Sequence, residues 1–136
     1  MGFINKCFAS DEQAMIPVSD VDNSKASCGN SNYYCDDTQD KVFMLSYKDY
    51  SGISSKTIAG VATDFARSSN LSLNGLSDGD YAYGNTNYWL RSPQYMYSSS
   101  YSNYAFGVAY NTNIGIKEVN ASNYGIRPAM NLTHPA

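Results

Sequence analysis

The side chains best suited to contact chemistry are Tyr95, Tyr97, Ser98, Ser99, Ser100, Tyr101, Ser102, Asn103 and Tyr104, which follow one another almost without interruption. Tyrosine brings a large contact area on few rotors, and serine and asparagine bring adaptable hydrogen bonds. Together they have the chemistry of an antibody-like paratope. From Tyr81 to Tyr124, 44 residues carry only three charges, Arg91, Lys117 and Glu118, whereas the other 92 residues carry 18. Tyrosine in so polar a run is not expected to be wholly buried, because each hydroxyl would need a partner. Exposed in bulk it is costly unless it has something to bind. The alternative is a low-complexity polar tract with some tyrosines packed on their own sheet. On the contact reading, Tyr95, Tyr97, Tyr101, Asn103, Tyr104, Asn111 and Asn113 form the ligand-binding set, and the ligand is a protein or a glycan.

Catalytic and metal chemistry have little to draw on. The single histidine, His134, lies three residues from the end of the 136-residue chain. Asp78 and Asp80 are close enough to share a cation, but two carboxylates near glycine more often make a solvated turn. Cys28 and Cys35 bracket the loop Gly29-Asn30-Ser31-Asn32-Tyr33-Tyr34, which a disulfide would close without strain. That bridge is favoured over two free thiols, and Cys7 is left over. A thiolate zinc site would want four ligands at tight spacing. A non-enzymatic protein with no cofactor and no metal is therefore expected.

The chain has 9 basic and 12 acidic residues, a net charge of -3. Clustered lysine and arginine are what drive sequence-independent nucleic-acid binding, so nucleic acid is a poor partner. No apolar run reaches the ~18 residues that suggest a membrane span. The length suits one domain.

The elements that must hold the tyrosine-rich tract divide in two. Ser10 with Asp11, Glu12 and Gln13 reads as an N-cap and capping box opening a short helix that Pro17 stops. A long loop is expected over Asp20–Asp40. Lys41-Val42-Phe43-Met44-Leu45 suits a buried strand, and Ser46 with Asp49 can cap a helical turn through Tyr50. Ile58, Val61, Ala62 and Phe65 predict a helix over Lys56–Arg67. Beyond Tyr81, strands are predicted at 88–92, 104–110, 114–119 and 124–130, with Asn111-Thr112-Asn113 as a hairpin spacer. The sum is an α+β domain with short helices in the N-terminal half and an antiparallel sheet built mainly from the C-terminal half.

Tyr88-Trp89-Leu90-Arg91-Ser92-Pro93, the variable Tyr/Asn-rich stretch and Tyr124-Gly125-Ile126-Arg127-Pro128-Ala129-Met130-Asn131-Leu132, in that order, resemble a family of bacterial surface and phage-associated domains. Asp40-Lys41-Val42-Phe43-Met44-Leu45-Ser46 resembles the family's central strand, and Phe8-Ala9-Ser10-Asp11-Glu12-Gln13 its early helix. The resemblance covers nearly the whole chain. It implies a C-type-lectin-like fold of the branch shared with formylglycine-generating and sulfatase-modifying proteins. Members begin with further strands before the first helix, which implies a sheet lacking one or more N-terminal strands here. The oxidase chemistry of that branch needs a cysteine pair in the C-terminal half, whereas Cys7, Cys28 and Cys35 all lie early. The Glu-Pro-Asn, Gln-Pro-Asp and Trp-Asn-Asp triplets of calcium-dependent lectins are absent.

A third implied relation is to the variable protein of a diversity-generating retroelement, in which Asn codons are converted to Tyr or Ser. The alternative is a family rich in these residues with no retroelement. Trp89, Arg91, Arg127 and Pro128 are expected to be scaffold: Trp89 as a core anchor, the arginines as ties to loop carbonyls or a carboxylate. The functional expectation is a non-catalytic recognition module, extracellular, at a cell surface or on a phage particle. The alternative is a structural domain of a surface or phage-tail protein.

Overall fold

The computed structural model describes residues 2–29, 32–53, 60, 63, 86–94 and 103–133. They form short helices and two antiparallel sheets, an α+β arrangement. In chain order these are α1 (Phe3–Cys7), α2 (Ser10–Ala14), β1 (Ser19–Val21), β2 (Thr38–Asp40), α3 (Tyr47–Gly52), β3 (Tyr88–Gln94), β4 (Tyr104–Val108) and β5 (Ile114–Glu118).

α2 begins one residue earlier than expected. Glu12 reaches back to accept the N–H of Ala9 at 2.8 Å, and Gln13 N–H bonds the Ala9 carbonyl at 2.9 Å, so Ala9 is the N-cap and Ser10 the first helical residue. The helix ends at Ala14, and Ile16, just beyond it, is buried. The long loop expected over Asp20–Asp40 has paired ends: β1 and β2 form a ribbon in which Ser19 faces Asp40 and Val21 faces Thr38. Of 56–67, expected as a helix, only Gly60 and Thr63 are described, and neither is helical. The Gly60 carbonyl instead accepts Thr86 N–H at 2.9 Å, and an interior glycine weakens a helix in any case.

α3 is capped as its sequence predicts. Ser46 Oγ accepts Asp49 N–H at 3.0 Å while Asp49 Oδ2 accepts Ser46 N–H at 2.9 Å, a reciprocal box that satisfies two otherwise orphaned donors.

The larger sheet has the order β3-β4-β5, antiparallel throughout. Tyr88, Leu90 and Ser92 alternate onto the buried face of β3, and Phe106 and Val108 join them from β4. Leu45, Tyr47, Tyr50, Ile53, Ile114 and Ile116 pack against this cluster, so the core lies between the sheet and α3. Each fully buried aliphatic here is worth about 1.5–3 kcal/mol. Gly29, at φ 69°, lets the chain pass beneath the Tyr47 ring, where a Cβ would lie 3.1 Å from it.

The predicted strands over 41–45 and 124–130 are not regular strands. Phe43 and Ala129 exchange both backbone hydrogen bonds as an isolated antiparallel bridge, at 3.0 and 2.7 Å. Gly125 lies against the outer edge of β3, accepting Trp89 N–H at 3.0 Å and donating to the Asn87 carbonyl at 2.9 Å. Residues 41–45 are half-buried, because a single bridge gives them one covered face. Val108 and Ile114 face each other across a hairpin closed by Ala109 N–H to the Asn113 carbonyl at 2.8 Å.

Candidate functional site

Arg91 is the tie between the sheet and the N-terminal half. Its Nε donates to Asn23 Oδ1 at 3.2 Å, one terminal nitrogen to the Met44 carbonyl at 2.7 Å and to Asp49 Oδ2 at 2.8 Å, and the other to the Asp22 carbonyl at 3.1 Å. The guanidinium carbon lies 5.7 Å from the Phe43 ring centroid, and the side chain is 12% exposed. A planar fork suits such divergent acceptors, and an ammonium would not reach them all. These bonds tie β3 to the segments around Asp22, Met44 and Asp49. Beside it, Ser92 is fully buried, accepting Tyr47 N–H at 2.9 Å and donating to the Ser27 carbonyl at 3.4 Å.

The other scaffold residues divide. Arg127 sits over the Tyr88 ring, 5.2 Å from its centroid, and donates to the Tyr88 hydroxyl at 3.4 Å. Burial pushes the Tyr88 hydroxyl above its ordinary pKa, and Arg127 offsets part of that. Trp89 is half-buried, because it occupies the face of β3 opposite Tyr88 and Leu90; those two are the core anchors. Trp89 instead stacks on Tyr124, ring centroids 4.5 Å apart. Pro128 is exposed. Pro93 pairs with Ala105, whose backbone groups point toward β5, so the N–H that proline lacks falls on the side away from β4 and costs the ladder nothing.

The described members of the expected ligand-binding set lie at two ends of the sheet. Gln94, Tyr104 and Glu118 are register partners at one end, and Val108 and Ile114 mark the other. Asn103 and Tyr104 follow the tract 95–102 in sequence, and Gln94, the partner of Tyr104 across the ladder, precedes it. Asn111 and Asn113 lie in the hairpin at the far end, where Asn111 Oδ1 accepts Asn113 N–H at 3.2 Å. Those two asparagines shape a turn and do not share a surface with Tyr104. Tyr95, Tyr97 and Tyr101 lie outside the described residues, as do Asp78, Asp80 and His134.

At the Tyr104 end a groove of about 400 Å³ is lined by Tyr104, Ile116, Lys117, Glu118, Asn120 and Asn123. The Tyr104 hydroxyl donates to Glu118 Oε1 at 3.1 Å. The groove has no net charge and is rich in amide and hydroxyl groups, which suits hydrogen-bonded recognition more than acid–base chemistry. Lys117, Glu118, Asn120 and Asn123 were not singled out as binders from the sequence. The signal was the antiparallel return of β5, which carries the Asn/Ser-rich turn after it back to Tyr104.

A second concavity of about 580 Å³ runs beside Asp20, Asp22, Lys48, Asp49 and Arg91. Its charges are largely committed to each other, Arg91 to Asp49 at 2.8 Å and Lys48 to Asp22 at 3.8 Å. The cysteines are free thiols, Cys28 buried and Cys7 and Cys35 exposed, so the expected Cys28–Cys35 bridge is not formed in this structure. Burial pushes the Cys28 thiol above its usual pKa, which keeps it protonated and unreactive. Among the described residues no group of three or more His, Cys, Asp or Glu could hold a metal ion, and no helix is long and apolar enough to cross a membrane.

No curated protein and no solved structure matches the chain. A family model does, over residues 1–134, and the chain accordingly belongs to the family described as Domain of unknown function (DUF6273).

Proposed function

We propose that this domain is a non-catalytic recognition module that binds a protein or glycan through its Tyr/Ser/Asn-rich tract, at a cell surface or on a phage particle. The observation that carries the reading is the register of the sheet. Gln94 and Tyr104, the residues flanking the tract, are direct cross-strand partners on strands anchored by Arg91 and Ser92. The residues on either side of the paratope-like sequence thus meet at one end of the sheet, where Tyr104 lines the polar groove.

We read the scaffold as C-type-lectin-like. In support, the arginine-bearing strand β3 carries Tyr88 and Leu90 of the core, and the Gly-Ile-Arg-Pro-Ala segment lies alongside that strand through Gly125. A retroelement origin of the tyrosines is part of the same proposal. It requires a nearby template copy of the 95–104 coding segment that differs at adenines, and genomic DNA without one contradicts it.

The test of the binding reading is a screen of the chain against arrayed glycans and cell-surface proteins. Saturable binding to one class is the expected result. A chain that binds neither class contradicts the reading and favours a structural domain packed against its own neighbours.

A further inference from the structure

The two edges of the larger sheet are finished differently. On the β3 side, the outward N–H of Trp89 goes to Gly125 and that of Arg91 to Leu45, at 3.0 and 2.9 Å. On the β5 side the alternation of the ladder sets which groups face out. Asn113 and Val119 bond to Ala109 and Asn103 of the β4 side, so Gly115 and Lys117 also point inward, and Ile114, Ile116 and Glu118 point away. The Glu118 carbonyl is taken by Ala121 N–H at 2.9 Å. The N–H groups of Ile114, Ile116 and Glu118 and the carbonyls of Ile114 and Ile116 take no partner among the described residues. Gly115, Lys117 and Glu118 are exposed, and none of the described residues lies within 4 Å of a Cβ built on Gly115.

An open row of alternating donors and acceptors is a template for another strand. We infer that β5 takes up an extended peptide segment of a partner protein as a fourth strand of the sheet, with an acidic side chain against Lys117 and apolar ones beside Ile114 and Ile116. The inference rests on the recognition reading above and makes the partner a protein. Two observations favour this occupant. The groove at Tyr104 continues from the open edge and shares Ile116, Lys117 and Glu118 with it, so an added strand would run into a pocket for its side chains. Glu118 already receives the Tyr104 hydroxyl, whereas exposed Lys117 meets no carboxylate among the described residues, which calls for an acidic partner.

A second copy of the chain fits less well. In the fullest antiparallel self-pairing, Ile116 opposite Ile116, each Lys117 would face Gly115 and each Glu118 would face Ile114, so no charge meets its opposite. A ribbon of β5 alone, 5 residues a side, also falls well short of the ~20–30 residues a side of a standard stable interface.

The experiment selects binders to the 136-residue chain from a displayed library of random linear peptides of about ten residues, then follows amide hydrogen exchange with one synthesised winner bound. The expected result is slowing of about tenfold or more at Ile114, Ile116 and Glu118, with little change at Gly115, Lys117 and Val119, which are already bonded inward. Ile116→Pro removes an outward donor and leaves the β4 ladder whole, and it should weaken binding about tenfold. Glu118→Pro does the same at an exposed position and serves if the half-buried site does not tolerate proline.

Failure to enrich any linear peptide overturns the proposal, as does a bound peptide that leaves those three amides exchanging freely. A free chain that self-associates with the three amides already protected overturns it too, in favour of a second copy. If Tyr97→Ala with Tyr101→Ala abolishes binding of a ligand that never slows β5 exchange, the strand proposal fails and the tyrosine reading survives. If peptide protection of β5 persists in that double variant, the strand proposal survives and the tyrosine reading fails.

Discussion

The Arg91 guanidinium lies 2.8 Å from Asp49 Oδ2, the same oxygen that accepts the Ser46 N–H and closes the cap of α3. One carboxylate thus joins β3 to the start of α3, and the arginine carries the connection on to the Asp22 and Met44 carbonyls. Replacing Arg91 by Ala strands four oxygens built around a cation, those of Asn23, Asp22, Met44 and Asp49, and should cost about 2–4 kcal/mol. Arg91→Lys should recover only a minor part, since an ammonium cannot fork. Chemical denaturation of the three proteins checks this; a lysine variant as stable as wild type would contradict it.

Acid should loosen the same tie. Burial on its own would raise the Asp49 carboxyl, but hydrogen bonds with Ser46 and the Arg91 guanidinium outweigh it and leave the pKa below its ordinary value. A folded pKa below the unfolded one stabilises the fold above the unfolded value, about 4, and the stabilisation is lost as pH falls through the folded value. Asp22 is lowered too, chiefly by hydrogen bonding with Ser24. Melting temperature should therefore hold above about pH 5 and fall below it. Asp49→Asn should flatten part of that limb and leave the share of Asp22; a limb of unchanged steepness would count against the role of Asp49.

Gly107 is the floor on which Tyr124 lies. A Cβ there would come within 2.3 Å of the Tyr124 ring. Gly107→Ala should cost about 1–3 kcal/mol by overpacking and displace Tyr124 from Trp89. Trp89 is the only tryptophan, so its fluorescence reports the displacement directly. Adding Tyr124→Ala should remove most of the penalty of the alanine, and simple additivity of the two changes would refute the contact.

Thr112 has φ 68°, a left-handed conformation that a β-branched residue adopts at a cost. Thr112→Gly should stabilise the β4–β5 hairpin by about 1 kcal/mol. The backbone carbonyl that accepts the Tyr50 hydroxyl is retained in the variant. A lowered melting temperature would contradict the prediction.

What the sequence made legible was local. The Ser46–Asp49 box, the strands around Tyr104 and Ile114 and the hairpin between them are written in neighbouring residues, and the structure has them. Arg91 could be recognised as a tie, yet its acceptors Asn23, Asp22, Met44 and Asp49 lie some 42 to 69 residues away in the chain, and no local pattern identifies them. The size of Trp89 predicts a core position, but a period of two has two phases, and packing puts Tyr88 and Leu90 inside. Asn111 and Asn113 share the composition of the tyrosine-rich tract. Only the register shows that they lie at the other end of the sheet. That the outward groups of Ile114 and Ile116 take no partner among the described residues is likewise a property of strand order, which composition does not carry.

The most direct measurement compares the affinity of the wild-type chain and of the Tyr97→Ala, Tyr101→Ala double variant for a ligand recovered from the glycan and surface-protein arrays, with thermal unfolding of both. Recognition through the tyrosine-rich tract predicts a loss of at least about tenfold in affinity at unchanged melting temperature. Equal affinity in a folded double variant would contradict it.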